Sequence, residues 1–419
     1  MKHIVFIAGS YYPYYSAVGK CLGNVVEELE KNNRVTVICF NSKINQDSKE
    51  RYSNHDIVRV YTDSMYRRNL LEKNIQNTQG MAKKFSKLEF NFHKAGQVIS
   101  TVISKETIKK QLVDKYLEAL NGLNNIDVII PTCNPFDSVI AAIEYKKKHS
   151  YVKIVPFLFD KFSMSHSLHR LKINRIIKMK HHLSLEENMI KNSERVMFVE
   201  SWKEHLIKNF SEYNEKFCLV EHPLIKPMNL TKVNTFFDNN KINITYSGLL
   251  SKAVRSPKYV LRLFSNILKE HKNIVLHFYV IGNEVEVVNE YSKQFPNQII
   301  NHGWVKTEIV HQAMVNSSYL LSIGANDITQ MSSKIFEYMS CGKPIIHTYV
   351  DKNDPANSIL KKYPLAICID QEDELIKDNI QKLEKFLVKN KKYLVEFEKV
   401  KRIFFNALPR YSADIIEKI

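Results

Sequence analysis

No apolar run in this 419-residue chain reaches the roughly 18 residues a helix needs to cross a bilayer. The N-terminal HIVFIAG is too short and too soon interrupted for a secretory signal, so a cytoplasmic protein is expected. Six cysteines (Cys21, Cys39, Cys133, Cys218, Cys341 and Cys368) stand far apart, which argues against a zinc motif or a disulfide framework. Most lie in apolar runs, as reduced core residues would. There is no Asp-x-Asp pair of the kind that holds a divalent cation, no internal repeat and no low-complexity tract. Negative charge is in deficit: 61 Lys and Arg face 44 Asp and Glu, a formal net charge of +17. A potential of that size attracts nucleic acid, anionic lipid or phosphorylated substrates. The basic residues are spread over helical segments such as Lys146, Lys147 and Lys148, without interleaved aromatics or a nucleic-acid motif. Nucleic acid is therefore not expected as a partner. A peripheral contact with the anionic inner face of the plasma membrane is better motivated, against the plain reading of solvated helix faces.

What is present is the composition of a globular protein, 44% apolar and 11% aromatic. The length exceeds one ordinary core and predicts two domains of about 200 residues each. Apolar strand-like runs alternate with helical periodicity, the pattern of an α/β protein with doubly wound parallel sheets. In the first half, strands are expected at His3–Gly9, Arg34–Phe40, Ile57–Tyr61, Asp127–Pro131, Lys153–Phe159, Arg195–Glu200 and Phe217–Val220. Helices are expected at Gly19–Lys31, Thr107–Leu120, Phe136–Lys148, Leu168–Lys191 and Trp202–Phe210, with a long polar, basic stretch over 62–122. Polar residues 229–240 mark a boundary between domains 1–228 and 241–411. The second half repeats the alternation, with strands at Lys241–Gly248, Ile274–Gly282, Ile299–Val305, Tyr319–Ile323 and Leu365–Ile369.

The segment Tyr319–His347, YLLSIGANDITQMSSKIFEYMSCGKPIIH, reads as strand, short helix, strand. Ser332 and Ser333 are expected as N-caps, Gly342 suits the left-handed position after the helix, and Pro344 cannot prolong it. A helix N-terminus at the carboxyl end of a parallel strand offers unpaired amides and partial positive charge to a phosphorylated ligand. Lys334 would add a full positive charge. Glu337, about one turn on, has two oxygens able to accept both hydroxyls of a ribose. The plain alternative is a helix with Ile335, Phe336 and Met339 in the core and Lys334 and Glu337 solvated.

The wording SSKIFEYMSCGKPII resembles the donor-site motif of GT-B glycosyltransferases, in particular the large retaining family of bacterial polysaccharide enzymes. Further segments are similar to that family. SYYPYYSAVGK resembles its N-terminal glycine loop, with Gly19 where backbone would approach ligand, although Ala17 or Val18 replaces an expected glycine. VMFVESWKEHL and EHPLIKP resemble the segments before the interdomain linker. GLLSKAVRSP, beginning at Gly248, takes the place of the family's diphosphate-binding loop. Leu249 stands where an arginine is usual, so the resemblance transfers that role to Arg255, with Lys252 as reserve. The resemblance also implies a His or Asp lining the acceptor cavity just after the Lys153–Phe159 strand; Asp160 occupies that place, with His166 and His169 following. Where the family often carries a second glutamate near the sugar, this chain has Thr329, with Gln330 beside it, which bond without charge.

The resemblance thus implies a GT-B architecture, two Rossmann-like domains facing across a cleft. The terminal helix, 412–419, would pack back on the first domain. It implies a metal-independent, retaining hexosyltransferase that needs no cofactor and takes a UDP- or GDP-sugar as substrate. The acceptor would be a glycan or lipid-linked saccharide in capsular or exopolysaccharide assembly. Catalysis would fall to Asp160, Arg255, Thr329 and Gln330. Donor binding would fall to Gly19, Gly248, Lys252, Arg255, Ser332, Ser333, Lys334 and Glu337. Because Thr329 and Gln330 are uncharged, a catalytically silent partner subunit is the rival reading, and a nucleotide-sugar epimerase on the same fold is the third.

Overall fold

A computed structural model describes residues 1–44, 46–103, 107–163, 165, 172–228, 233, 235–326, 331–390 and 393–419. The chain divides into one unit made of Met1–Pro223 with Pro409–Ile419 and a second made of Leu224–Leu408.

The first unit is built on β1 (His3–Ile7), β2 (Arg34–Phe40), β3 (Lys49–Tyr52), β4 (His55–Val60), β5 (Val128–Pro131) and β6 (Lys153–Ile154). They form one sheet in the order β3-β4-β2-β1-β5-β6, parallel except for β3, which pairs antiparallel with β4. The central β1 is buried along its whole length, as its unbroken apolar run dictates for a sheet covered on both faces. The expected strand Lys153–Phe159 is two strands. Pro156 has no N–H for a ladder, so β6 ends and the chain passes to a second sheet as β7 (Phe157–Leu158). There β7 pairs with β8 (Val196–Phe198), and β8 with β9 (Phe217–Leu219). The hairpin strand β3 was not foreseen, because KERY is polar and alternates between half-buried and exposed positions. The basic stretch 62–122 forms helices Asp63–Asn77, Gly80–Ile103 and Lys110–Asn121. The terminal helix Pro409–Glu417 packs in this unit against helix Ala17–Leu29, and Lys2 Nζ donates to the Glu417 carbonyl at 2.7 Å.

The second unit contains β10 (Ile242–Leu250), β11 (Ile274–Gly282), β12 (Ile299–Asn301), β13 (Tyr319–Ile323), β14 (Ile345–Tyr349) and β15 (Ala366–Asp370). All are parallel, in the order β12-β11-β10-β13-β14-β15. The first strand of this unit lies in the middle: the next two spread to one side and the last three to the other, a doubly wound Rossmann-like sheet. The strand expected to reach Val305 stops at Asn301, because Gly303 takes φ +64° and turns the chain away. Leu261, Phe264, Ile267 and Leu268, on one face of helix Lys258–Glu270, pack with Ile244, Leu276 and Phe278 into a continuous core. Crossovers of opposite direction leave β10 and β13, so the carboxyl ends of these two neighbours form the topological switch point where such sheets bind ligands.

Candidate active site

Helix Lys334–Ser340 follows β13 at this switch point, and it is buried on all sides rather than amphipathic. Ile335, Phe336, Tyr338 and Met339 are inaccessible to solvent, and Glu337 is only 6% exposed. Glu337 is therefore not solvated, as the plain reading of the helix required. Its Oε2 lies 3.2 Å from Lys334 Nζ and 3.4 Å from Nε2 of His311, on helix Thr307–Asn316. Two basic groups thus hold one nearly buried carboxylate, and one of them comes from an element with no sequence signal of a site. Next to it, the buried Tyr338 hydroxyl accepts the Ser247 amide at 3.3 Å, tying the helix to the end of β10. Burial of its sulfur pushes the adjacent Cys341 thiol up to about 12, so this cysteine is protonated.

The expectation of serine caps fails. Ser333 has helical backbone angles, φ −60° and ψ −17°, and its side chain makes no capping bond. An effective cap needs an extended backbone to bring its oxygen back to the amides of the first turn. Ser332 contributes only its carbonyl, which accepts from the Ile335 amide at 3.3 Å. Gly342 takes φ +67° directly after the helix, and a Cβ there would overlap the Val395 carbonyl.

The loop after β10 closes on itself, the Arg255 amide donating to the Ser251 carbonyl at 2.7 Å. This directs the half-buried Arg255 back to the Tyr246 hydroxyl. Burial raises the pKa of that phenol, and the Arg255 charge and hydrogen bond oppose the rise. Among the described residues Arg255 Nε is buried without a hydrogen-bond partner, so the guanidinium has donor capacity left. Lys252 is exposed, and its amide donates to Asn283 Oδ1 at 3.3 Å. Asn326, beyond β13, donates its amide to the Val254 carbonyl at 2.7 Å and binds this loop to the one leading towards Ser332. Gly248 faces the Tyr246 hydroxyl, 3.2 Å from where a Cβ would stand. Gly248 at the end of β10, with Lys252, Arg255, Ser332, Ser333, Lys334 and Glu337 from the two loops and one helix that follow, therefore all belong to the switch point of the second unit. Thr329 and Gln330 lie outside the described residues, as do His166 and His169.

Asp160 and Gly19 belong to the first unit. Asp160 lies two residues after β7; burial raises its pKa, and the charge of His222 works against the rise. His222 lies beside the buried Glu221, their Nδ1 and Oε2 atoms 3.1 Å apart. These two partners follow β9 and carried no sequence signal as acid or base. At Gly19, on helix Ala17–Leu29, the space of a Cβ is taken by the Ser10 carbonyl. Packing of the loop on its own helix is thus enough to require glycine there, and no ligand need be invoked. The aromatic loop is held by the protein in the same way. Tyr12 stacks on Tyr52 at 3.7 Å, Arg59 donates to the Tyr12 carbonyl, and Tyr11 is buried against His55, whose Nδ1 lies 2.7 Å from Glu30. Among the described residues no group of three or more His, Cys, Asp or Glu could hold a metal ion.

The family model described as "Glycosyl transferases group 1" matches residues 241–384, which span the whole second sheet and the site at its switch point. This segment is similar to a group 1 glycosyl transferase domain. No curated protein matches the sequence. Among solved structures, sucrose-phosphate synthase from Thermosynechococcus elongatus is similar over 100% of this chain and 99% of its own, with a TM-score of 0.64 and 10% identity. The lipopolysaccharide outer core galactosyltransferase WaaB is similar over the full length of both chains, with a TM-score of 0.56 and 15% identity. Anabaena HepE, solved in complex with UDP, also matches over the full length of both, with a TM-score of 0.60 and 12% identity. At such identities the likeness speaks for the fold alone, which is GT-B, with two Rossmann-like units.

Proposed function

We propose that this chain transfers a hexosyl group from a nucleoside diphosphate sugar to a glycan or lipid-linked acceptor, with the donor held by the group 1 domain. The observation that carries the reading is Glu337, nearly buried between Lys334 and His311 at the switch point of the matched segment. Lys334 donates to Glu337 Oε2 with His311 beside the same oxygen, and a carboxylate has two oxygens suited to accept both ribose hydroxyls. The similar HepE, solved in complex with UDP, favours a uridine nucleotide as the first donor to try.

In the transfer, the bond from the anomeric carbon to the diphosphate oxygen breaks and its electron pair leaves with the nucleotide. The acceptor oxygen forms the new bond at that carbon, and its proton passes to the departing phosphate on the same face, which retains configuration. Arg255 and Lys334 offset the charge that develops on the diphosphate, a role in which fixed cations in a partly buried site act strongly. Asp160 orients the acceptor hydroxyl in the first unit. Bacterial surface polysaccharide is the assembly in which we place the reaction.

A panel of UDP- and GDP-sugars assayed for nucleotide release tests the reading, with Glu337→Gln as the control variant. Turnover is expected with at least one donor. Loss of a charged hydrogen bond to ribose is expected to raise the donor KM about ten- to hundredfold. Glycan binding without turnover on any donor would favour the silent partner subunit, a reading motivated by uncharged Thr329 and Gln330 where the resembling family often has a glutamate. Interconversion of free nucleotide-sugars would favour the epimerase.

A further inference from the structure

Helix Gly80–Ile103 has its faces reversed relative to a helix that contributes to a core. Among its described side chains the half-buried positions are Lys83, Ser86, Phe90, His93, Gln97 and Val98; four of these six are polar, and the first five repeat every three or four residues. This polar face is tied to helix Asp63–Asn77. Gln97 Nε2 donates to Ser64 Oγ at 2.7 Å, His93 Nε2 lies 3.2 Å from the Ser64 carbonyl, and Glu89 pairs with Arg67 at 3.3 Å. On the other side stand Met81, Phe85, Leu88, Phe92 and Ile99, each more than half exposed. Their spacing of four, three, four and seven residues puts them on a single stripe. A run of large apolar side chains left in water has a cost that only an occupant can recover.

Charge selects the occupant. Over residues 63–103 there are seven Lys and Arg against three Asp and Glu. The same spacing would suit the seam of a helix pair with a second copy, but pairing would bring Lys83, Lys84, Lys87 and Lys94 of both copies together. An anionic lipid surface accepts stripe and lysines at once: apolar side chains enter the acyl boundary and the ammonium groups meet phosphate. No helix among the described residues is long and apolar enough to cross a membrane, so a helix lying in the interface is the form this contact takes. We propose that helix Gly80–Ile103 docks the first unit on an anionic membrane through Met81, Phe85, Leu88, Phe92 and Ile99. This assignment is independent of the sugar-transfer reading and is measured without any nucleotide.

The test is co-flotation of the full chain with vesicles of phosphatidylglycerol and phosphatidylcholine, against vesicles of phosphatidylcholine alone. Binding to the anionic vesicles is expected to be at least about tenfold tighter and to weaken with salt. Phe85→Glu with Phe92→Glu should abolish flotation with an unchanged circular dichroism spectrum, and Lys84→Gln with Lys87→Gln should reduce it severalfold. Equal partition into both vesicle types would overturn the proposal. So would light scattering that shows a dimer dissolved by the Phe85 and Phe92 substitutions, with no binding to lipid.

Discussion

Helices Lys334–Ser340 and Gly80–Ile103 solve opposite problems. The first has seven residues, too few to be stable alone, and owes its shape to burial on every side. The second has 24 residues and turns its largest apolar groups outward. The difference teaches where each helix gets its meaning. In the second unit a helix is a wall of the sheet's own crevice, so each side chain is constrained by the core and the position of Glu337 is fixed by its neighbours. In the first unit the helix is attached by polar contacts, and its apolar stripe answers to something outside the chain. The sharpest way to break this contrast is a pair of truncations. Phe336→Ala should cost about 3–5 kcal/mol, because it opens a cavity in a close-packed site. Phe92→Ala should cost less than about 0.5 kcal/mol, as an exposed substitution does. Urea unfolding of both variants checks it. A comparable loss for Phe92→Ala would mean that the stripe is covered within the folded protein.

The same contrast explains how much could be read in advance. The parallel strands were legible, because β1 and β13 are short, mostly apolar runs and a doubly wound sheet has few alternatives. SSKIFEYMSCGKPII announced the helix and its glycine stop, since its apolar periodicity, Gly342 and Pro344 agree with the fold. The serine caps were misread because residue type reports capping preference and not backbone angle, and Ser333 is helical. His311 was not legible because it reaches Glu337 from a helix that precedes β13, by a proximity that only the crossover creates. Gly19 looked like a ligand position, yet the Ser10 carbonyl occupies the space its side chain would need. Pro156 was visible in the sequence, but its effect depended on a second sheet being there to receive the chain.

Glycines sharpen the comparison at a smaller scale. Gly342→Ala should destabilise by about 1–3 kcal/mol, because φ +67° disfavours a side chain and the Val395 carbonyl leaves no room. Gly96→Ala should instead stabilise by about 0.5–1 kcal/mol, since that helical glycine has nothing within 4 Å of a new Cβ. Thermal melts of the two variants should therefore move in opposite directions. A loss at Gly96 would indicate that this face of helix Gly80–Ile103 is packed.

A pH-dependent effect concerns protons in the second unit. Asn243 Nδ2 donates to the Asp238 carbonyl at 2.9 Å, so Asn243 Oδ1 faces His277 Nε2, 3.1 Å away, as an acceptor. His277 Nε2 therefore carries the proton, and its Nδ1 accepts from His302 Nε2 at 3.1 Å. A second proton on His277 would meet an N–H and has no acceptor. Burial, with the charge of His302 adding to it, lowers the His277 pKa to about 3. The folded value lies below the unfolded value of about 6.5, so the folded state binds fewer protons there. Above pH 6.5 both states are neutral and the stability is fully present. As the pH falls from 6.5 towards 3 the unfolded histidine alone takes up a proton, and stability is lost by at most about 1.4 kcal/mol per pH unit. Denaturant midpoints measured from pH 7 to pH 5 should fall for the parent chain and fall less for His277→Gln. Parallel curves would show that the proton is accommodated and that the hydrogen-bond order from Asn243 to His302 is not the one described.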